Sequence, residues 1–142
     1  MSKNTNQQTD EQIVKSAQQT IKAFLEASMK PDPEKAFEYM AEGVDITFTG
    51  GIKFSHPREA SAFNAKRYNW VKKKLGSFDV SIEDAIVTVY SFGSLYGEWP
   101  DGTEFENNRY IDRFIIEDGK IVKMDVINDS AERILKMKGI DA

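Results

Sequence analysis

Two charged residues interrupt patterns that are otherwise apolar, and both are candidates for chemistry. Asp112 lies two residues from Tyr110 and two from Phe114, in a segment that has the two-residue period of a β-strand. The three side chains therefore share one face, and the carboxylate of Asp112 is predicted to face the interior. Burial disfavours a charged carboxylate and raises its pKa, which suits a general base that works near neutral pH. The alternative is structural, with Asp112 paired to a cation or to backbone amides as an anchor.

Arg67 is the second candidate. It is predicted on a long helix, where it shares a stripe with Phe63 and Trp70 at helical spacing and points toward the sheet. A buried guanidinium favours a carboxylate partner, and Asp112 is the partner that we expect. The pair predicts either a clamp for an anionic or enolate-like group of a ligand, or a structural salt bridge beneath the helix.

The elements that position these residues follow from periodicity and turn signals. Helical spacing predicts a first helix over residues 9–29, a short second helix from Asp32 that Gly43 ends, and a third helix over residues 55–75 that Gly76 ends. A small hairpin is predicted between the second and third helices, and the period then changes to two. The predicted strands span residues 44–49, 52–54, 78–83, 85–98, 104–117 and 120–129, before a terminal helical turn over residues 130–138.

This order describes one α+β domain over residues 9–142, behind a flexible tail of residues 1–8. Long antiparallel strands twist and bend. We therefore expect a cone-shaped, curved antiparallel sheet wrapped around the long helix and the two other N-terminal helices. A curved sheet that helices close except at one end makes a pocket where a small molecule binds.

Alternation assigns side chains to the two faces of this sheet, provided that no bulge interrupts a strand. The predicted lining of the pocket is Phe63, Trp70, Phe92, Ser94, Tyr96, Asn108, Tyr110, Val126 and Asn128. Of these, Trp70, Phe92, Tyr96 and Tyr110 form an aromatic wall that could instead be plain core. The outer face is predicted to carry an apolar set that favours a homodimer. This set comprises Val87, Val89, Leu95, Ile111, Ile115 and Ile127.

Composition excludes several classes of site. The 142 residues include no Cys and one His, so thiolate nucleophiles, iron–sulfur clusters and zinc sites are not expected, and neither a metal nor a cofactor is predicted. The His, His56, is expected to cap a helix or to pack in a loop. A net charge of −4 disfavours nucleic-acid binding. The sequence shows neither a signal peptide nor a membrane span, so we expect a cytoplasmic protein without a membrane partner.

Four segments carry a resemblance to a known family. Residues 91–102 (SFGSLYGEWPDG), 109–114 (RYIDRF), 118–122 (DGKIV) and 126–129 (VIND) resemble SnoaL-like members of the nuclear transport factor 2-like superfamily. The resemblance covers roughly residues 9–132. It implies the cone-shaped α+β fold, also called cystatin-like, with a pocket between sheet and helices and frequent dimerisation.

The resemblance spans proteins of many activities, and two of these are disfavoured here. The Arg–Asp pair and the further Asp of limonene-epoxide hydrolases would fall on Phe92, Ser94 and Val126, none of which is retained. The first helix also lacks the Tyr of ketosteroid isomerases, and Asp45, the possible acid near the first strand, is predicted to point outward.

The sequence therefore predicts a SnoaL-like domain that binds a small hydrophobic or aromatic molecule in a hydrophobic cavity. If it is catalytic, it is a cofactor-free isomerase, cyclase or dehydratase that uses acid/base chemistry. Asp112 is then the base, and Arg67, Tyr110 or Asn128 stabilises the developing charge. The alternative is a non-catalytic module of the same fold that binds a ligand or dimerises through the outer sheet face.

Overall fold

The computed structural model describes residues 9–140. The flexible tail predicted for residues 1–8 lies outside the described residues. The elements in chain order are α1 (Asp10–Met29), α2 (Pro33–Phe37), β1 (Met40–Thr47), β2 (Lys53–Phe54), α3 (Pro57–Arg67), β3 (Trp70–Glu83), β4 (Ile86–Glu98), β5 (Glu104–Glu117), β6 (Lys120–Asn128) and α4 (Ser130–Met137).

The strands form one curved, unclosed sheet in the order β2-β1-β6-β5-β4-β3. Neighbouring strands are antiparallel except for β1 and β6, which are parallel. The helix α1 packs against β3 and β4, while α2 packs against α1 and α3. The predicted α+β class with a curved sheet is confirmed.

The first helix begins and packs as its sequence predicts. The Thr9 side chain accepts a hydrogen bond from the Gln12 backbone N–H, and the Gln12 side chain accepts one from the Thr9 backbone N–H. The apolar stripe is buried, and the ring of Phe24 meets that of Phe114 on β5 edge-on, with centroids 5.7 Å apart. This stripe therefore fixes α1 across the concave face of the sheet.

The third helix is shorter than predicted, and the prediction was wrong after Arg67. Tyr68 has an extended backbone, and the chain enters β3 at Trp70. The segment 71–75 fits both periods, because Val71 and Leu75 are four residues apart and also two alternations apart. Pairing with β4 along the whole of β3 resolves this ambiguity, since cross-strand hydrogen bonds and packing override local helix preference.

Glycines predicted to end helices lie inside strands instead. Gly76 sits at a register shift of β3, opposite Phe92 and Gly93. The second helix ends at Phe37, and Gly43 lies in β1 with φ of 80°, within an irregularity of the pairing with β6. Both positions are bulges. At Gly76 a Cβ would collide with the Phe92 carbonyl oxygen, whereas the space around Gly43 is open and its positive φ is what favours glycine.

The face prediction for β4 was wrong. The inner residues of β4 are Val87, Val89, Ser91, Gly93 and Leu95, whereas Tyr90, Phe92, Ser94 and Tyr96 lie on the outer face. The reason is space, because the Tyr110 ring of β5 lies across the inner face of β4 and leaves no room for another aromatic side chain there.

The faces of β5 and β6 agree better with the prediction. Residues Asn108, Tyr110, Asp112 and Phe114 of β5 are buried together. In β6, Met124 and Val126 face inward as predicted. The exception is Val122, which is half-buried at a register shift where Ile121 takes the inner place.

We expect Gly93→Ala to destabilise the protein. A Cβ at Gly93 would clash with the Lys74 carbonyl oxygen and would lie 2.7 Å from Cε2 of Tyr110. Overpacking of this kind costs about 2 kcal/mol or more in the free energy of unfolding, measured by urea denaturation. The neighbouring change Ser94→Ala, on the outer face, should stay within about 0.5 kcal/mol of wild type. Equal losses in both variants would contradict this packing.

Candidate functional site

A cavity of about 320 Å³ lies between the helices and the inner face of the sheet. Its apolar wall comes from four elements and includes Phe24, Leu25, Met29, Ile46, Leu95, Met124 and Val126. Its polar border includes Ser28, Asn64, Arg67, Lys73, Tyr110 and Asn128. An apolar chamber with a few polar groups is the usual form of a small-molecule site.

A buried ion pair lies at the wall of this cavity. Asp112 is fully buried on β5 and accepts a hydrogen bond from Nζ of Lys73, which reaches in from β3 and is 17% exposed. The Lys73 ammonium also lies 4.7 Å from the centre of the Tyr110 ring. Among residues 9–140, the second carboxylate oxygen of Asp112, Oδ1, is buried without a hydrogen-bond partner.

Burial sets the protonation behaviour of this site. Desolvation raises the pKa of Asp112 above its ordinary value, and the ammonium of Lys73 opposes this shift. Burial likewise raises the pKa of Tyr110, whose hydroxyl shares a 2.9 Å hydrogen bond with Oγ of Ser91. Tyr110 therefore remains neutral, and the charge of the site resides in the Lys73–Asp112 pair.

The two partners differ in their access to the cavity. Lys73 and Tyr110 border it, whereas Asp112 lies behind them. A ligand in the cavity would consequently meet the ammonium of Lys73 first. Asp112 holds that ammonium in place.

The expected pairing of Arg67 with Asp112 was wrong. Lys73 occupies the carboxylate instead, and the guanidinium carbon of Arg67 lies 4.9 Å from the centre of the Phe63 ring. Lys73 falls within the third helix predicted over residues 55–75, but that helix ends at Arg67 and Lys73 lies on β3 instead. The sequence signal for this is spacing, because Val71, Lys73 and Leu75 occupy every second position and therefore share the inward face of β3.

The predicted ligand-binding residues other than Asn108 divide into two groups. Phe63, Tyr110, Val126 and Asn128 border the cavity. Trp70 at the start of β3 also borders it, although its ring lies on the outer face and packs edge-on against Tyr96. The outer-face residues Phe92, Ser94 and Tyr96 do not border it. For the residues that border the cavity, a binding role stays a prediction.

Asn108 belongs to a separate buried network. Its Nδ2 donates to Oγ of Ser130 over 2.9 Å, and that oxygen also lies 2.7 Å from the Tyr68 hydroxyl. Ser130 is the first residue of α4. The network therefore ties α4 to β5 and to Tyr68 just after α3, and of its three residues only Tyr68 borders the cavity.

His56 caps α3, as the sequence indicated. Its Nδ1 accepts a 2.9 Å hydrogen bond from the Arg58 backbone N–H, and its ring lies 4.2 Å from that of Phe37. Within residues 9–140, no group of three or more His, Asp or Glu side chains is arranged to hold a metal ion. No helix in the same range is long and apolar enough to cross a membrane.

The substitution Asp112→Asn tests the buried carboxyl. Because the pKa of Asp112 lies above its ordinary 3.8, the folded protein holds this proton more tightly than the unfolded chain does. The stability gained is complete below the ordinary pKa and is lost as the pH rises through the raised pKa. In urea titrations from about pH 3 to about pH 8, the free energy of unfolding of Asp112→Asn should therefore rise relative to wild type.

Asp45→Asn provides a control of opposite sign. Hydrogen bonds from Lys123 and Lys53 lower the pKa of Asp45, so its contribution is present above 3.8 and is lost as the pH falls through the lowered pKa. The free energy of unfolding of Asp45→Asn should fall relative to wild type as the pH rises. If the free energies of unfolding of both variants changed with pH in the same direction relative to wild type, the pKa of Asp112 would not be raised.

Comparison with known proteins gives structural matches only. The sequence matches no protein-family model, and a search of the curated proteins gives no match. An NTF2-like protein of unknown function from Burkholderia pseudomallei is 19% identical, with a TM-score of 0.72 over 84% of this chain and 95% of that chain. A protein from Jannaschia sp. CCS1, proposed to be a SnoaL-like polyketide cyclase, is 18% identical, with a TM-score of 0.65 over 85% and 90%.

A third match is TerC, crystallised with polyporic acid. It is 15% identical, with a TM-score of 0.67 over 87% of this chain and 98% of that chain. The three matches cover nearly the whole of each neighbour, and they agree with the predicted resemblance. This chain therefore has the NTF2-like fold that SnoaL-like proteins share.

Proposed function

We propose that this protein binds a small, largely apolar molecule in the cavity and that Lys73 acts on an oxygen atom of that molecule. The buried Lys73–Asp112 pair at an apolar cavity wall carries this proposal. Burying two charges is costly, and an apolar pair of similar volume is often as stable or more so. An ion pair kept at the edge of an open chamber is therefore better explained by a ligand than by stability.

The chemistry follows from what each group presents. The Lys73 ammonium, fixed by Asp112, stabilises negative charge that develops on a carbonyl or hydroxyl oxygen of the ligand. The apolar wall excludes water and strengthens this interaction. Isomerisation, cyclisation and dehydration all develop such charge, and they require no cofactor when acid/base groups are in place. Asp112 is a positioning residue in this scheme, rather than the base that the sequence suggested.

The structural neighbours support a small-molecule role. TerC was crystallised with polyporic acid, and the Jannaschia protein is proposed to be a polyketide cyclase. Both have the same fold as this chain, at identities under 20%. A cytoplasmic location stays a prediction from the sequence.

We expect wild-type protein to bind 1-tetralone, an aromatic ketone, more tightly than tetralin, its counterpart without the carbonyl. Calorimetry or NMR titration measures both affinities. A hydrogen bond from a charged donor favours the ketone by about tenfold. Wild type should also accelerate exchange of the ketone α-hydrogens in D2O, followed by NMR. Deuteroxide from the solvent removes the α-hydrogen, Lys73 stabilises the enolate that remains, and the solvent returns a deuteron to the same carbon.

The double variant Lys73→Met/Asp112→Asn should lose the preference for the ketone and the accelerated exchange. Both charges are removed together because Lys73→Met alone leaves a buried carboxylate unpaired, at a cost of about 3–5 kcal/mol. Lys74→Met is the matched control, since Lys74 is exposed on the opposite face of β3. Binding without accelerated exchange would reject the acid/base role and leave a binding module.

The outer face of the sheet favours the second candidate, an association module. Its exposed apolar residues are Trp70, Ile86, Tyr90, Tyr96, Ile111 and Ile127. Val87, Val89 and Leu95, which were predicted for the same face, are core residues instead. We propose that a second copy of this chain covers this face, since an apolar sheet face of this kind promotes association.

Ile127→Glu should convert the proposed dimer to a monomer in sedimentation at micromolar concentration. Ile127 is 61% exposed, and a charge there would be desolvated in the interface. Ile140→Glu is the control, because Ile140 is 58% exposed but lies beyond α4, outside the sheet. A wild-type monomer would reject the dimer.

A further inference from the structure

The cavity border is basic, although the chain as a whole is acidic. Lys30, Arg67, Lys72 and Lys73 border the cavity, and no Asp or Glu among residues 9–140 does. In the whole sequence, the 23 acidic residues outnumber the 19 basic ones. The border therefore carries only basic charges among the described residues, and the carboxylate at the cavity wall, that of Asp112, lies behind Lys73.

These basic residues are not equivalent. Lys73 is neutralised by Asp112. Lys72 directly precedes the inward Lys73 on β3, so its side chain points to the outer face. Lys30 is exposed at the end of α1. Arg67 is only half-exposed at the cavity, and no carboxylate in the described part of the chain lies within 4.0 Å of it. Among the described residues, Arg67 is thus the half-exposed basic residue at the border that no carboxylate neutralises, whereas Lys30 and Lys72 are exposed.

The position of the Arg67 guanidinium is fixed by aromatic packing. It lies 4.9 Å from the centre of the Phe63 ring, a second cavity residue. Phe63 is held in turn by Phe54 and Phe48, with ring centroids 5.4 Å and 6.0 Å away. Arg67 therefore presents its planar fork of N–H donors from a wall of packed aromatic rings. This arrangement suits a carboxylate or another planar anion.

We propose that the ligand is an amphipathic organic acid, with an anionic group bound by Arg67 and an apolar body that fills the chamber toward Lys73. This inference rests on the proposed function, because it needs the cavity to be a binding site. Asn64, one helical turn before Arg67 on α3, also borders the cavity and provides an amide donor for the same anion. Lys30 adds long-range attraction at the border.

Two fluorescent probes with one skeleton test the charge. The probe 8-anilinonaphthalene-1-sulfonate is an anion, and N-phenyl-1-naphthylamine is the same diaryl amine without the sulfonate. Wild type should bind the anion more tightly. Arg67→Gln should weaken anion binding by about tenfold and leave the neutral probe unchanged. Added salt should weaken binding of the anion only.

The matched control is Lys66→Gln, because Lys66 is the exposed neighbour of Arg67 on α3 and does not border the cavity. It should bind both probes as wild type does. Ser61→Trp locates the probes, since its added ring would occupy the cavity that Ser61 borders. Melting temperatures of all variants establish that they fold.

The outcomes separate the inference from the proposed function. Loss of both probes in Ser61→Trp, with anion binding selectively weakened in Arg67→Gln, supports both. Two outcomes would reject an anionic ligand while retaining the cavity as a binding site. One is that Arg67→Gln binds the anionic probe in the cavity as wild type does, and the other is that wild type binds the neutral probe more tightly than the anion. Probe binding that Ser61→Trp does not affect, or no binding at all, overturns the cavity as a binding site and the inference with it.

Discussion

The ion pair between Lys73 and Asp112 connects the edge strand β3 to β5 through the interior of the protein. Its geometry depends on the sheet, because the lysine must reach inward across β4 to a carboxylate two strands away. The small inner residues Ser91 and Gly93 leave room for Tyr110 beside this path. Curvature, small residues and the buried pair therefore form one arrangement, and a change in any of them alters the chamber beside it.

The sequence predicts well those parts of the fold that local physics decides. The capping box at Thr9 and the apolar stripe that follows it specify α1, and the Asp-Gly turn at Asp118 specifies the β5–β6 hairpin. The segment 71–75 could not be resolved in this way, because Val71 and Leu75 satisfy a helical and an extended period at once. Only pairing with a distant strand distinguishes the two.

The sequence predicted one partner of the ion pair, because local patterns show burial, and missed the other, because they do not show which distant strands meet. A carboxylate between two aromatic residues identified Asp112 as buried, and alternation within β5 was sufficient for that. Its partner depends on which strand lies two places away, which no local pattern encodes, so Arg67 was chosen and Lys73 was missed. The prediction of which face of β4 points inward was wrong for a similar reason. Both faces of this strand carry apolar residues, and only the bulk of Tyr110 decides between them.

The edge position of β3 has a consequence for behaviour at high concentration. A long edge strand exposes unpaired backbone groups that recruit strands from other copies into fibrils. Here the Lys73 backbone N–H is covered by Sδ of Met29 at 3.1 Å, the lysines at 72 and 74 place charge along the edge, and the bulge at Gly76 breaks its regularity. Lys72 and Lys74, the Met29 contact and the bulge together disfavour aggregation through the edge of β3.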